Sequence, residues 1–169
     1  MAITRLGGAN AISGTIPTSV APGKGKLLQI QSDNSRSVGS TSSTTPVDYG
    51  MTCSITPNST SNPIYIRTFL PDCRNSGTTT VNTVIHLYRQ INGGGYSDLI
   101  KLTNGLLYNF DSQRVTLGFS GEFKDTTHNT TSQIDYKIYF KSGNSSYAQQ
   151  INCDAQGEAT LTAMEIAGW

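Results

Sequence analysis

The sequence predicts an all-β fold, a single antiparallel β-sandwich, jelly-roll-like, with roughly eight to ten strands and an extended N-terminal arm. Apolar and polar residues alternate with period two over several stretches. The clearest is Val47–Ile55, where Val47, Tyr49, Met51, Cys53 and Ile55 interleave with Asp48, Gly50, Thr52 and Ser54. Turn-forming clusters such as PNSTSN and NGGG separate these stretches. No helical period of useful length is present. Only EATLTAMEIAGW admits a short helix, and Thr160 and Thr162 weigh against one.

Residues 1–23 differ from the rest and read as an extended docking arm, leaving 24–169 as the sandwich head. Gly7, Gly8, Gly14, Gly23, Pro17 and Pro22 exclude a regular helix or central strand there. Ile3, Leu6, Ile12, Ile16 and Val20 are spaced along the arm as apolar docking points.

The first strand is expected at Lys26–Gln31, with residues 32–45 a polar loop or weak edge strand. After Val47–Ile55 and the PNSTSN turn, Ile64, Ile66 and Leu70 line one face of the next strand and Tyr65, Arg67 and Phe69 the other. PDCRNSGTTT reads as a loop. Val81–Ile91 follows, with Val81, Ile85, Leu87 and Ile91 on one face and His86 and Tyr88 on the other. Asn104-Gly105 between apolar runs predicts a type I′ hairpin, since both turn positions need positive φ. Val115, Leu117, Phe119 and Phe123 alternate with polar residues before the loop KDTTHNTT. Ile134, Tyr136, Ile138 and Phe140 do so after it. The chain turns at Ser142–Asn144, and strands follow at Tyr147–Cys153 and Glu158–Ala167.

The 169 residues suffice for one domain with a sizeable core. A net charge of +1, with scattered Lys and Arg, predicts no nucleic-acid partner. No apolar run is long enough for a spanning helix, so no membrane insertion is expected. The first twenty residues lack a signal-peptide core, so a protein of this sequence that works outside a cell gets there without a Sec signal, which fits release by lysis. Cys53, Cys73 and Cys153 read as three free thiols. One disulfide plus a leftover thiol stays open, because connectivity is not legible in sequence. No CxxC pair or His/Cys ligand spacing suggests a metal, and no cofactor is expected.

Catalysis finds no motif. No serine lies in a GxSxG context, and His86 and His128 read as surface or inter-subunit residues. Asp111, Glu122, Asp125 and Asp135 are acids without an arrangement. Tyr96, Tyr147 and Trp169 are candidate glycan contacts, being aromatics beside Asn- and Gly-rich turns or at the terminus; Tyr108 and Tyr147 also suit a core or subunit contact. Three N-glycosylation patterns, at Asn58, Asn129 and Asn144, are expected by chance in a chain so rich in Asn, Ser and Thr.

Three segments resemble virion proteins of tailed phages, often marine cyanophages. STSSTTPVDYGMTCSITPNSTSNPIYIRTFL is similar to a recurring Ser/Thr-rich strand, Ser-Ile-Thr-Pro corner and apolar strand. IDYKIYFKSGNSS and ATLTAMEIAGW resemble that family's penultimate and terminal strands. The opening ITRLGGANAISGTIP is similar to the starts of phage fibre-like chains. Pro46 and Asn62-Pro63 depart from the pattern and bear on edge pairing. The resemblance implies a virion-surface structural protein, either a fibre or spike head or a capsid decoration module. It also implies a homotrimer in contact with other virion proteins. The alternative reading is a receptor-recognition module that binds a host surface glycan.

Overall fold

The computed structural model describes residues 25–75, 81–106 and 116–167. Ten strands form among them: β1 (Leu27–Ser35), β2 (Gly39–Thr41), β3 (Val47–Ile55), β4 (Ile64–Asn75), β5 (Thr83–Ile91), β6 (Ser97–Leu106), β7 (Thr116–Asp125), β8 (Ile134–Ser142), β9 (Gln149–Ile151) and β10 (Ala159–Ile166). All paired strands run antiparallel.

The alternating residues do what their period requires. In β3, Tyr49, Met51, Cys53 and Ile55 are buried, and in β8 Ile134, Tyr136, Ile138 and Phe140 are. Opposite them, β4 contributes Ile64, Ile66 and Leu70, and β10 contributes Ala159, Leu161 and Ala163. These inward faces interdigitate as one core. Val47, expected on the dry face, is exposed where β3 begins.

The topology is that of a jelly roll. β1 and β2 act as one interrupted strand: β1 lies along β10, and β2 continues along β9. Arg74 of β4 pairs with Gln150 of β9 on one side and Thr116 of β7 on the other. The six strands of this first sheet therefore fill four columns: β1/β2, β10/β9, β4 and β7. The second sheet runs β3-β8-β5-β6. Apart from β1–β2, β5–β6 and β9–β10, every connection crosses between the sheets, which is the double Greek-key path.

Several local expectations are corrected. Asn104 and Gly105 form no hairpin; they lie inside β6, whose Leu106 still pairs with Thr83. Asn82 Nδ2 donates to the Asn104 carbonyl at 2.7 Å, a tertiary bond that holds the segment extended. The PDCRN stretch is strand rather than loop. It carries a bulge at Pro71–Asp72, where Asp72 adopts φ 49°, and then resumes pairing with β7 and β9. The Pro71 carbonyl accepts from Asn152 N at 3.0 Å, and the Asp72 carbonyl from Cys153 N at 3.1 Å. Gly157 packs against this bulge so closely that a Cβ there would stand 2.5 Å from Pro71 Cγ.

β1 runs past Gln31 to Ser35, because its polar second half still finds partners. Asp33 Oδ2 accepts from Thr52 N at 2.8 Å, and Ser32 Oγ pairs with Thr162 Oγ1 at 3.1 Å. The strand expected at Tyr147–Cys153 shortens to Gln149–Ile151. There is no disulfide: Cys53 and Cys73 are buried free thiols, and Cys153 is free and half-buried.

Candidate functional site

The two sheets present unlike outer faces. On the first sheet, register places Ile30, Met164, Tyr65 and Lys124 in one row across β1, β10, β4 and β7. Ser32, Thr162, Arg67 and Glu122 form the next row, and Asn34, Thr160, Phe69 and Ser120 the third. Period-two alternation forces these residues outward once Ile64, Ile66 and Leu70 face the core. The result is a mixed surface on which large apolar side chains stand exposed among polar ones: Ile30 is 55% exposed, Phe69 45%, Leu28 40% and Tyr65 37%. Few polar contacts cross it. Arg67 Nε meets Glu122 Oε1 at 3.0 Å in the open, and Lys124 Nζ stands 5.5 Å over the Tyr65 ring.

Two grooves cut this face. One, of about 410 Å³, is lined by Gly25, Tyr65, Arg67, Glu122, Met164 and Ile166. The other, of about 390 Å³, is lined by Ile30, Arg67, Phe69, Ser120, Thr160 and Met164. Arg67 and Met164 line both, so the grooves adjoin.

The second sheet's outer face is aromatic and polar. Tyr88 and Tyr139 stack with centroids 4.0 Å apart, and Tyr96 tilts against Tyr139 at 6.4 Å. Lys137 Nζ stands 4.8 Å over the Tyr96 ring and bonds Asp48 Oδ2 at 2.6 Å. That Asp48 hydrogen bond raises the Lys137 pKa, outweighing partial burial. Burial pushes the three phenols up, so they stay neutral. His86, two residues before Tyr88 on the same face of β5, is buried, which corrects the surface half of its surface-or-inter-subunit reading. Its Nδ1 meets Asp98 Oδ2 at 2.8 Å, while its Nε2 has no partner among the described residues.

His128 is buried too. Its Nε2 lies 2.7 Å from the Asn62 carbonyl and its Nδ1 3.1 Å from the Thr130 carbonyl, so it clasps two loops together.

Two acids, Asp125 and Glu165, are structural anchors. Asp125, fully buried, accepts from Arg89 Nη1 at 2.7 and 2.9 Å, from Tyr136 Oη at 2.7 Å and from Thr127 N at 2.8 Å. Burial alone would raise its pKa, but these donors hold it below the ordinary value. Glu165 is likewise buried. It is held low against burial by Asn62, Gln29 and Asn58. Glu122 is engaged by Arg67, and Asp135 accepts from Gln133 Nε2 at 2.8 Å. Asp125 and Glu165, saturated with donors in their charged form, are poorly disposed to exchange protons in a reaction.

Of the residues singled out in the sequence, Tyr96 lies in the aromatic row. Tyr147 lies elsewhere, beyond the far end of β8, where Ser142 Oγ donates to its carbonyl at 2.9 Å. Roughly 20 Å of strand separates the two positions, too far for one small sugar to bridge. Trp169, Tyr108, Asp111 and the arm positions Ile3, Leu6, Ile12, Ile16 and Val20 fall outside the described residues. Sequence reading missed the partnership of Tyr88 and Tyr139. Their outward alternation was visible, but not that β5 and β8 are neighbours.

No protein-family model matches the chain, and no curated protein matches it. Among solved structures it is similar to the VP2 subviral particle protein of infectious bursal disease virus, at 12% identity and a TM-score of 0.38. That match covers 86% of this chain and 39% of the VP2 chain, so the chain spans well under half the length of that protein. It is also similar to a structure described as "CBM4 structure and function", at 14% identity and a TM-score of 0.25, covering 82% of this chain and 92% of that one. Likenesses this weak assign no function.

Proposed function

We propose that this chain is a non-enzymatic structural module of a virion surface, of the tailed-phage kind its sequence resembles. In this reading it is a fibre or spike head or a capsid decoration module. It works as a homotrimer attached to other virion proteins through its N-terminal arm. The observation that carries the reading is the outer face of the first sheet. Ile30, Phe69, Leu28 and Tyr65 stand exposed on that one face, beside two adjoining grooves, and exposed apolar area gathered at a groove marks an interaction surface. The jelly-roll frame is used by capsid and lectin domains alike, which supports the reading by analogy only.

Light scattering of the full chain at micromolar concentration tests the assembly, with a trimer expected and a monomer overturning it. Antibody labelling of intact particles tests the location. Regular label over the shell or on the tail supports a virion-surface role, and unlabelled particles contradict it.

The aromatic row favours a second reading, a host-glycan receptor module. Sugar rings offer C–H faces to aromatic side chains and hydroxyls to charged ones, and Tyr96, Tyr139, Lys137 and Asp48 supply both. Saturable binding to host lipopolysaccharide, lost in Tyr96→Ala but kept in Tyr147→Ala, supports it; absence of binding removes it.

A further inference from the structure

We infer that the outer face of the first sheet is the seat of the N-terminal segment, residues 1–24, of a second copy of this chain. The inference rests on the homotrimer reading and gives it a mechanism, in which the arm's apolar points meet a second copy rather than another virion protein. The seat is defined by the two adjoining grooves and by the exposed side chains of Leu28, Ile30, Tyr65 and Phe69 around them. The occupant follows from where the described chain begins. Gly25 itself lines one groove, so residues 1–24 join the molecule at the rim of such a face.

Length and composition favour a neighbour's face over the chain's own. At Gly25 the backbone is still tied to the end of the sheet: Gly25 N donates to the Ala167 carbonyl at 3.0 Å, and Ala167 N to the Lys26 carbonyl at 2.8 Å. Pro17 and Pro22 favour extended backbone around them, which lengthens the segment's reach. Fully extended, 24 residues reach about 80 Å, whereas an eight-residue strand such as β10 covers only about 25 Å.

The stretch Ile16–Lys24 then bridges two copies. Ile3, Leu6 and Ile12, spread over about 30 Å, match the length of the grooved face and bring apolar side chains to it. In the homotrimer such a head-to-tail contact is repeated three times around a closed ring.

The test uses the full chain with a photo-crosslinking benzoylphenylalanine in place of Phe69. Isotopically heavy and light copies are unfolded, mixed equally and refolded before irradiation. A trimer is expected, with Phe69 joined to peptides from residues 1–24 and about half of those joins linking heavy to light. Joins within one copy only, or a trimer in which position 69 reaches no peptide of that segment, overturn the inference and leave the trimer standing. A monomer overturns both. As a second measurement, Leu6→Asp with Ile12→Asp is expected to weaken trimer formation about tenfold or more, with the β-sheet circular dichroism unchanged. An unweakened trimer counts against the seat.

Discussion

Asn62 and Glu165, 103 residues apart, meet through a 2.6 Å hydrogen bond from Asn62 Nδ2 to Glu165 Oε1. The same carboxylate accepts from Asn58 N at 2.8 Å, Asn58 Nδ2 at 2.7 Å and Gln29 Nε2 at 2.6 Å. Four neutral donors surround one buried charge. They fasten the loop between β3 and β4 to the last strand and the first.

Glu165→Gln puts an amide N–H among groups that are themselves donors, leaving at least one of them unsatisfied in a buried site. The expected cost is about 2–4 kcal/mol. It is read as a lower urea midpoint at unchanged slope. A variant as stable as the parent would show that the clamp contributes nothing.

Glu165 and Asp125 both ionise more readily folded than unfolded, so the unfolded chain takes up protons first as pH falls. Their stabilisation is fully present above the ordinary carboxylate values of 4.5 and 3.8. It is lost progressively as pH drops below them toward the folded values. Melting temperature should therefore be insensitive to these groups near pH 7 and fall steeply below about 4.5. A flat profile down to acid pH would contradict this.

Arg89→Met leaves Asp125 buried without its cation, although Tyr136 and Thr127 still donate. A loss of about 3–5 kcal/mol is expected. The double replacement Arg89→Met with Asp125→Leu should recover part of it, since no charge then stays unpaired. Equal losses in single and double variants would place the damage in packing rather than charge.

Burial pushes the Cys53 and Cys73 thiols up to about 11 and about 12, while Cys153 is half-buried and less strongly raised. A thiol reagent at pH 8 should therefore modify one cysteine of the folded chain, Cys153, and all three in urea. Rapid modification of Cys53 in the folded protein would contradict the packing of β3.

The sequence by itself determined the strands whose apolar residues recur with period two. In β3, β4, β8 and β10, Met51, Ile66, Ile138 and Leu161 point inward as their alternation required. That information is local, because the pleat alone decides which side chains share a face.

The pairing of strands was decided only by the tertiary structure. Asn104-Gly105 carries a turn signal, yet pairing with β5 and the Asn82 bond keep it extended. Asp72–Asn75 looks like loop, but β7 and β9 arrive on either side of it. Both histidines are buried by residues that no window around them contains.

The outer faces follow the same logic. Tyr65 and Phe69 were visibly opposite the core-facing set of β4. That Ile30 and Met164 would join them in one surface depended on β1, β10 and β4 becoming neighbours. Alternation is fixed by bonds between adjacent residues, whereas contact across a sheet is fixed by hydrogen bonds between segments a hundred residues apart.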